Sequence, residues 1–103
     1  MKKVRYIQPL SDKDKLLVEF TEERGLILEF VVQYHSLVDS RWRTIIRIDN
    51  CRHGNRPHKH TYYRTKKPIF TYLDGDANNV FTEAKRHIVK NFRVIMENYS
   101  INN

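Results

Sequence analysis

The sequence predicts an α+β domain, an antiparallel sheet of about four to five strands with one long C-terminal helix packed on one face. Two patterns predict it: apolar residues alternate with polar ones along most of residues 4–64, and the last quarter switches to spacings of three and four. At 103 residues, 40% of them hydrophobic, the chain is expected to be a single domain over 1–103 with room for one sheet-and-helix core. Three Gly and three Pro are too few for a disordered or low-complexity chain, and no internal repeat is visible.

Taken in order, residues 4–8 form a weak first strand that Pro9 interrupts. Leu16, Val18 and Phe20 alternate with polar neighbours in a half-buried second strand, and Glu22-Glu23-Arg24-Gly25 is the turn after it. Residues 26–37 are rich in β-branched and aromatic types, which suits a strand better than a helix. Their even positions, Leu26, Leu28, Phe30, Val32 and Tyr34, are expected to face the core, as are Trp42, Thr44, Ile46 and Ile48 in 42–50. Opposed residues of an antiparallel pair share a face, so even must oppose even and the connecting loop must hold an odd number of residues. Asp39-Ser40-Arg41 satisfies this; a two-residue Asp39-Ser40 turn would set core residues against arginines and is rejected.

Residues 51–57 read as a loop, since Gly54, Asn55 and Pro57 are turn formers. A further strand spans about 58–64, Lys66-Lys67-Pro68 breaks it, and a short extended piece lies near Ile69–Leu73. Asp74 or Asp76 then caps an amphipathic helix whose stripe is Phe81, Ala84, Ile88, Phe92, Ile95 and Tyr99, widened by Val89 and Met96. Lys85, Arg86, Lys90 and Arg93 occupy its other side. A helix on one sheet face leaves the other free, and Arg43, Arg47 and Asp49 are expected there.

Several function classes are excluded. The longest apolar stretch is broken by Glu29, Gln33 and His35, so no membrane span is expected, and no apolar run follows the charged start as a signal peptide requires. The single cysteine, Cys51, makes no intrachain disulfide, and a cytoplasmic location is the expectation. No Gly-rich phosphate loop, nucleophile elbow or dinucleotide fingerprint is present.

The charge is unevenly placed. Segment 41–67 carries nine basic residues, Arg41, Arg43, Arg47, Arg52, Arg56, Lys59, Arg64, Lys66 and Lys67, against Asp49 alone, for a net +8. The rest of the chain holds ten basic and eleven acidic residues, so the whole +7 of the protein comes from this segment. A field of one sign suits a polyanion, whose released counterions supply much of the affinity, and RNA is the expected partner. Arg43, Arg47, Arg52, Arg56, Lys59, Arg64, Lys66 and Lys67 are the candidate nucleic-acid contacts, and Tyr62 or Tyr63 could stack on bases.

Three of the five histidines, His53, His58 and His60, fall within the same stretch, beside Asp49. His58 and His60, two apart on a strand, point the same way. One reading is metal-independent cleavage of RNA by its own 2′-hydroxyl: His58 and His60 serve as acid and base, Asp49 orients one of them, His53 folds back from the loop, and Arg43, Arg47 or Lys59 stabilises the phosphorane. No metal or other cofactor is expected in this reading. A metal site built from His53, His58 and His60 with Cys51 or Asp49 ranks below it, because the spacing matches no standard zinc module and the surrounding cations oppose a dication. Residue types alone favour binding over cleavage, since basic loops often hold phosphate without cutting it. Cys51 reads as a small buried hydrophobe, and His35 and His87 as incidental.

Over roughly residues 30–63 the sequence resembles the TumE-like toxin family, small proteins with an Arg-Tyr-Asp-Asn segment followed by Pro-His and His-Lys-His. The matching residues here are Arg47-Ile48-Asp49-Asn50, then His53, then Pro57-His58-Lys59-His60. A related set of small proteins with no assigned activity shares the Asp49…His53-Gly54…His58-x-His60 pattern. The resemblance implies the endoribonuclease toxin of a toxin–antitoxin pair, acting on messenger RNA, silenced by an antitoxin protein and using Arg47, Asp49, His53, His58 and His60. The alternatives are a non-catalytic nucleic-acid-binding or regulatory module and a protein-interaction domain. The exposed edge of a small sheet also admits a homodimer.

Overall fold

The structure, a computed structural model, describes residues 1–101, except for the side chains of His53 and Ile101. It is an α+β fold in two layers. Six strands, β1 (Lys2–Ser11), β2 (Asp14–Glu23), β3 (Leu26–Val38), β4 (Arg41–Asp49), β5 (His58–Thr61) and β6 (Ile69–Tyr72), form one antiparallel meander in sequence order. A 3-10 turn spans His53–Asn55, and helix α1 (Ala77–Ile101) lies across one face of the sheet, over β3 and β4.

The predicted stripe makes the core. Phe81, Ala84, Ile88, Phe92 and Tyr99 of α1 are buried against Leu16 and Val18 of β2, Phe30, Val32 and Tyr34 of β3, and Ile46 and Ile48 of β4. Phe81 sets its ring against both Phe20 and Phe30, and Phe92 meets Tyr34 edge-on. Asp76 rather than Asp74 is the helix cap, its Oδ1 accepting from the Asn79 backbone N–H at 2.9 Å. Val89 is exposed and widens nothing; Met96 and Ile95 are partly buried on the core.

Four expectations need correcting. The sheet has six strands, because β1 is a full edge strand and Ile69–Tyr72 pairs with β5 as a sixth. Pro9 does not end β1: it sits opposite Lys15 on the edge strand, the part of a sheet that tolerates proline, and Leu10, unpaired just beyond, packs against the core. Leu26 and Leu28 are exposed, because Glu22 opposes Ile27 while Thr21 opposes Glu29. Leu28 is therefore the bulged residue, and Ile27 turns toward the core in their place, held by the Asn78 side chain on its N–H at 2.8 Å.

The fourth correction is the β3–β4 hairpin. Its turn is the two-residue Asp39-Ser40 form, both residues at positive φ (51° and 66°), and near the turn Ser36 opposes Arg43 and Val38 opposes Arg41. A bulge then leaves Ile45 unpaired between His35–Thr44 and Tyr34–Ile46, and from there Val32 opposes Ile48 as the parity argument requires. The bulge reconciles an even turn with an even core register. It buries Ile45 (1% exposed) and turns Trp42 to the open face, 44% exposed, with the Lys15 ammonium 4.0 Å over its ring. It also places Arg43 on the helix side.

The start of β2 is fastened to the core by a group of polar contacts around Asp14. The Tyr34 hydroxyl, under α1, donates to Asp14 Oδ1 at 2.6 Å and lies 3.3 Å from the Phe92 carbonyl. Burial alone would raise the Asp14 pKa, but hydrogen bonds from Ser11, Tyr34 and Ser36, with the Arg93 charge, outweigh it and hold the carboxyl below its ordinary 3.8. Burial and the Asp14 carboxylate push the Tyr34 phenol well above its usual range. A carboxyl depressed in the folded state stabilises the fold above its unfolded value and loses that contribution as pH falls through the folded one. Asp14→Asn should therefore flatten the loss of stability between about pH 5 and pH 2, read from urea midpoints, and an acid arm parallel to wild type would contradict the assignment. Tyr34→Phe should cost about 1.5 kcal/mol at neutral pH.

Candidate functional site

The face of the sheet opposite α1 carries Lys15, Leu17 and Glu19 of β2 and Val31, Gln33 and His35 of β3, and the pairing of β4 and β5 decides what joins them. Asp49 opposes His58 and Arg47 opposes His60, so these four side chains share the open face. Beyond them His58 opposes Tyr72 and His60 opposes Phe70, which adds two aromatic rings. Ile48–Lys59 and Ile46–Thr61 fall on the helix side.

Asp49 is the centre of the cluster and is only 2% exposed. Its Oδ2 accepts from Arg47 Nε at 2.8 Å, and its Oδ1 accepts from the Cys51 backbone N–H at 2.9 Å. His58 Nε2 lies 3.1 Å from the same Oδ1. The other ring nitrogen, Nδ1, is 2.8 Å from the Arg56 carbonyl, which can only accept, so Nδ1 carries a proton. Nε2 therefore faces a carboxylate oxygen 3.1 Å away, an approach that needs either a proton on Nε2 or a cation between the two atoms. His58, also 2% exposed, is thus a fixed member of the cluster, not a mobile one. Phe70 stacks on its ring at 5.1 Å, and His60 meets it edge-on at 5.2 Å.

His60 differs. It is half-buried and stacks on Tyr62, with ring centroids 6.2 Å apart and 20° between planes. Together Arg47, Asp49, Cys51, Arg52, His58, His60 and Tyr62 line a pocket of about 520 Å³ open to solvent. Arg52 and Arg56 are exposed at its loop side, and the Arg56 guanidinium lies 4.1 Å over the Tyr72 ring.

The remaining predicted residues scatter. Arg43 lines a separate pocket with Tyr63, Thr65 and Tyr99 on the helix side, away from Arg47. Lys59 faces α1, near His87. Arg64 pairs with Asp39 at 2.7 Å, and Lys66 lies 4.3 Å over the Tyr63 ring, both in the loop between β5 and β6 with exposed Lys67. His53 sits in the 3-10 turn, and its side chain lies outside the described residues. Burial raises the Cys51 thiol pKa and the Asp49 and Glu29 carboxylates add to it, the opposite of an activated nucleophile. Burial, then the Lys15 charge, lowers that of His35, out on the open face beside β2.

Sequence reasoning missed Asn50. It is buried, its Oδ1 accepting from the Phe30 N–H and its Nδ2 donating to the Leu28 carbonyl, both at 2.9 Å. The side chain imitates a strand backbone one step past the last β3–β4 pair, Val31–Asp49, and so fixes the end of β4 that carries Asp49. Phe70 and Tyr72 were missed as well. The alternation of Phe70 and Tyr72 around Thr71 was the available signal.

The chain belongs to the family described as Domain of unknown function (DUF7718), whose model matches residues 1–103. No curated protein and no solved structure matches it.

Removing the central carboxylate leaves a buried imidazole and a guanidinium without their shared acceptor. Asp49→Ala should cost about 3 kcal/mol in urea unfolding, whereas Arg47→Ala, at a partly exposed position, should cost about 1 kcal/mol or less. Equal losses in the two variants would contradict the central place given to Asp49.

Proposed function

We propose that this protein binds single-stranded RNA across the open face of its sheet, with a phosphate held in the Arg47–Arg52–His60 pocket. One observation carries the reading. The strand register collects cations and aromatic rings in one exposed patch: Arg52 and Arg56, the stacked pair His60–Tyr62, and Phe70 and Tyr72, which are 39% and 42% exposed. Alternating ring faces and guanidinium groups is what an unpaired strand needs, bases stacking on the rings while the backbone follows the charge. A duplex, whose bases are already stacked, has no use for exposed rings.

The cluster bears differently on cleavage. His58 is shielded by Phe70, His60 and Tyr72, and each of its nitrogens faces an acceptor, so its part is to hold Asp49 and the loop in place. His60 is then the histidine positioned to exchange a proton with a bound phosphodiester. An acid–base cleavage through the described residues would run through His60 with Arg47 or Arg52 beside the phosphate, and the toxin reading would follow from it.

Both readings are separated by one assay: protein and a long single-stranded RNA in excess EDTA, resolved on native and denaturing gels. RNA retarded but intact, with affinity falling as salt rises, is the expected result. Arg52→Ala and Arg56→Ala should each weaken binding and flatten the log–log salt slope by about 0.7, while Arg43→Ala, on the helix side, should leave both unchanged. Cleavage by wild type that disappears in His60→Ala would establish the ribonuclease. Absence of any salt-dependent retention would end the RNA reading and favour a protein partner.

A further inference from the structure

We infer that Asp49, His58 and His60 form a three-ligand site for one zinc-class divalent transition-metal ion, a reading that the sequence alone ranks low and that stands independently of the RNA proposal. The ligand atoms, one carboxylate oxygen and one nitrogen from each histidine, all lie within 4.8 Å of one another. Asp49 Oδ1 and His58 Nε2 are 3.1 Å apart. Two ligands each about 2.0–2.2 Å from one ion sit about 3–3.5 Å from each other, so this pair already has the spacing of neighbours in a coordination shell. The half-buried His60 offers its nitrogen within the same 4.8 Å of both, as the third ligand of the set.

The surroundings favour the same reading. A metal-binding imidazole characteristically gives its other N–H to a carbonyl or carboxylate, which fixes the tautomer and aims the free lone pair. His58 does this through Nδ1 to the Arg56 carbonyl at 2.8 Å, leaving Nε2 toward Asp49. Asp49 shows the matching feature: Arg47 Nε holds its Oδ2 at 2.8 Å, so Oδ1 is the oxygen presented to the cluster. A cation between Nε2 and Oδ1 does the work that a second proton on His58 does otherwise. The objection from local positive charge weakens at this range, because Arg47 is already matched by Asp49.

Two histidines and one carboxylate on one side of an ion leave its remaining positions open. Here they would face the pocket that Arg47, Arg52 and Tyr62 also line, so an anionic oxygen is the ligand that this charge favours there. Imidazole with carboxylate suits zinc, cobalt and ferrous ions over magnesium or calcium, which prefer oxygen.

The test is titration of EDTA-treated, dialysed full-length protein with cobalt(II), followed by visible absorption and by isothermal calorimetry, without nucleic acid. Expected are one ion per chain, displacement by zinc, and an affinity more than about 10-fold weaker in His60→Ala and in Asp49→Asn, since even outer-shell losses commonly cost that much. His87→Ala, on α1, should bind as wild type. Because Asp49 is buried and its replacement strains the fold, His60→Ala is the deciding variant, with its fold checked by circular dichroism. No saturable binding by wild type, undiminished binding by folded His60→Ala, or thiolate-to-cobalt bands that assign Cys51 as a ligand would each overturn the inference.

Discussion

Asp49 lies 2% exposed on the sheet face that α1 does not cover, and three groups converge on its two oxygens: Arg47 Nε, the Cys51 N–H and His58 Nε2. A carboxylate is tolerated at such a depth only when its charge is matched and its lone pairs are filled. The surrounding chain is arranged to meet that requirement. Arg47 precedes it by two residues on the same face of β4, Cys51 begins the loop after it, and His58 opposes it at the start of β5. The loop from 50 to 57 must return so that the Arg56 carbonyl meets His58 Nδ1, which explains positive φ at Arg52, Gly54 and Asn55. Satisfying one buried charge thus sets the geometry of the most basic part of the sequence.

The two faces of the sheet divide the labour. Under α1 the contacts are mostly apolar, with Tyr34 and Asp14 as a hydrogen-bonded exception, and their consequence is stability. On the open face the polar contacts cluster at β4–β6, and among the described residues no buried side-chain polar atom is left without a partner. Such a site is fixed at Asp49 and His58 and exposed at Arg52 and Arg56, a combination that suits the proposed binding of a flexible anionic strand. The metal inference rests on the same rigidity, because a preformed pair of ligands avoids the cost of ordering them on binding.

Much of this was legible in the residues. Alternation located the strands, three-and-four spacing located α1, and the loading of His, Asp and Arg between 47 and 60 singled out the stretch whose side chains gather around Asp49. Parity also gave half of the β3–β4 register, Tyr34–Ile46 and Val32–Ile48. It failed nearer the turn because parity counts residues and a bulge changes the count without any necessary mark in composition: Ile45 between Thr44 and Ile46 looks like an ordinary strand residue. The same blindness misplaced Leu26 and Leu28 on the core and Arg43 on the open face. Asn50 was invisible for another reason: its side chain extends the β3–β4 ladder past Val31–Asp49, and nothing in composition marks an asparagine that does so. The sequence also suggested an interchangeable His58 and His60, whereas pairing distinguishes them: one lies between Asp49 and the Arg56 carbonyl, the other at the mouth of the pocket.

The central claim is that the β4–β6 half of the open face is the working surface. Backbone amide chemical shifts, followed by NMR while a short single-stranded RNA is added at low salt, test it most directly. The account predicts saturable changes concentrated at Arg47, Asp49, Arg52, His58, His60, Phe70 and Tyr72, with α1 and Arg43 nearly unmoved. Changes centred on α1, or none at any RNA concentration, would contradict it.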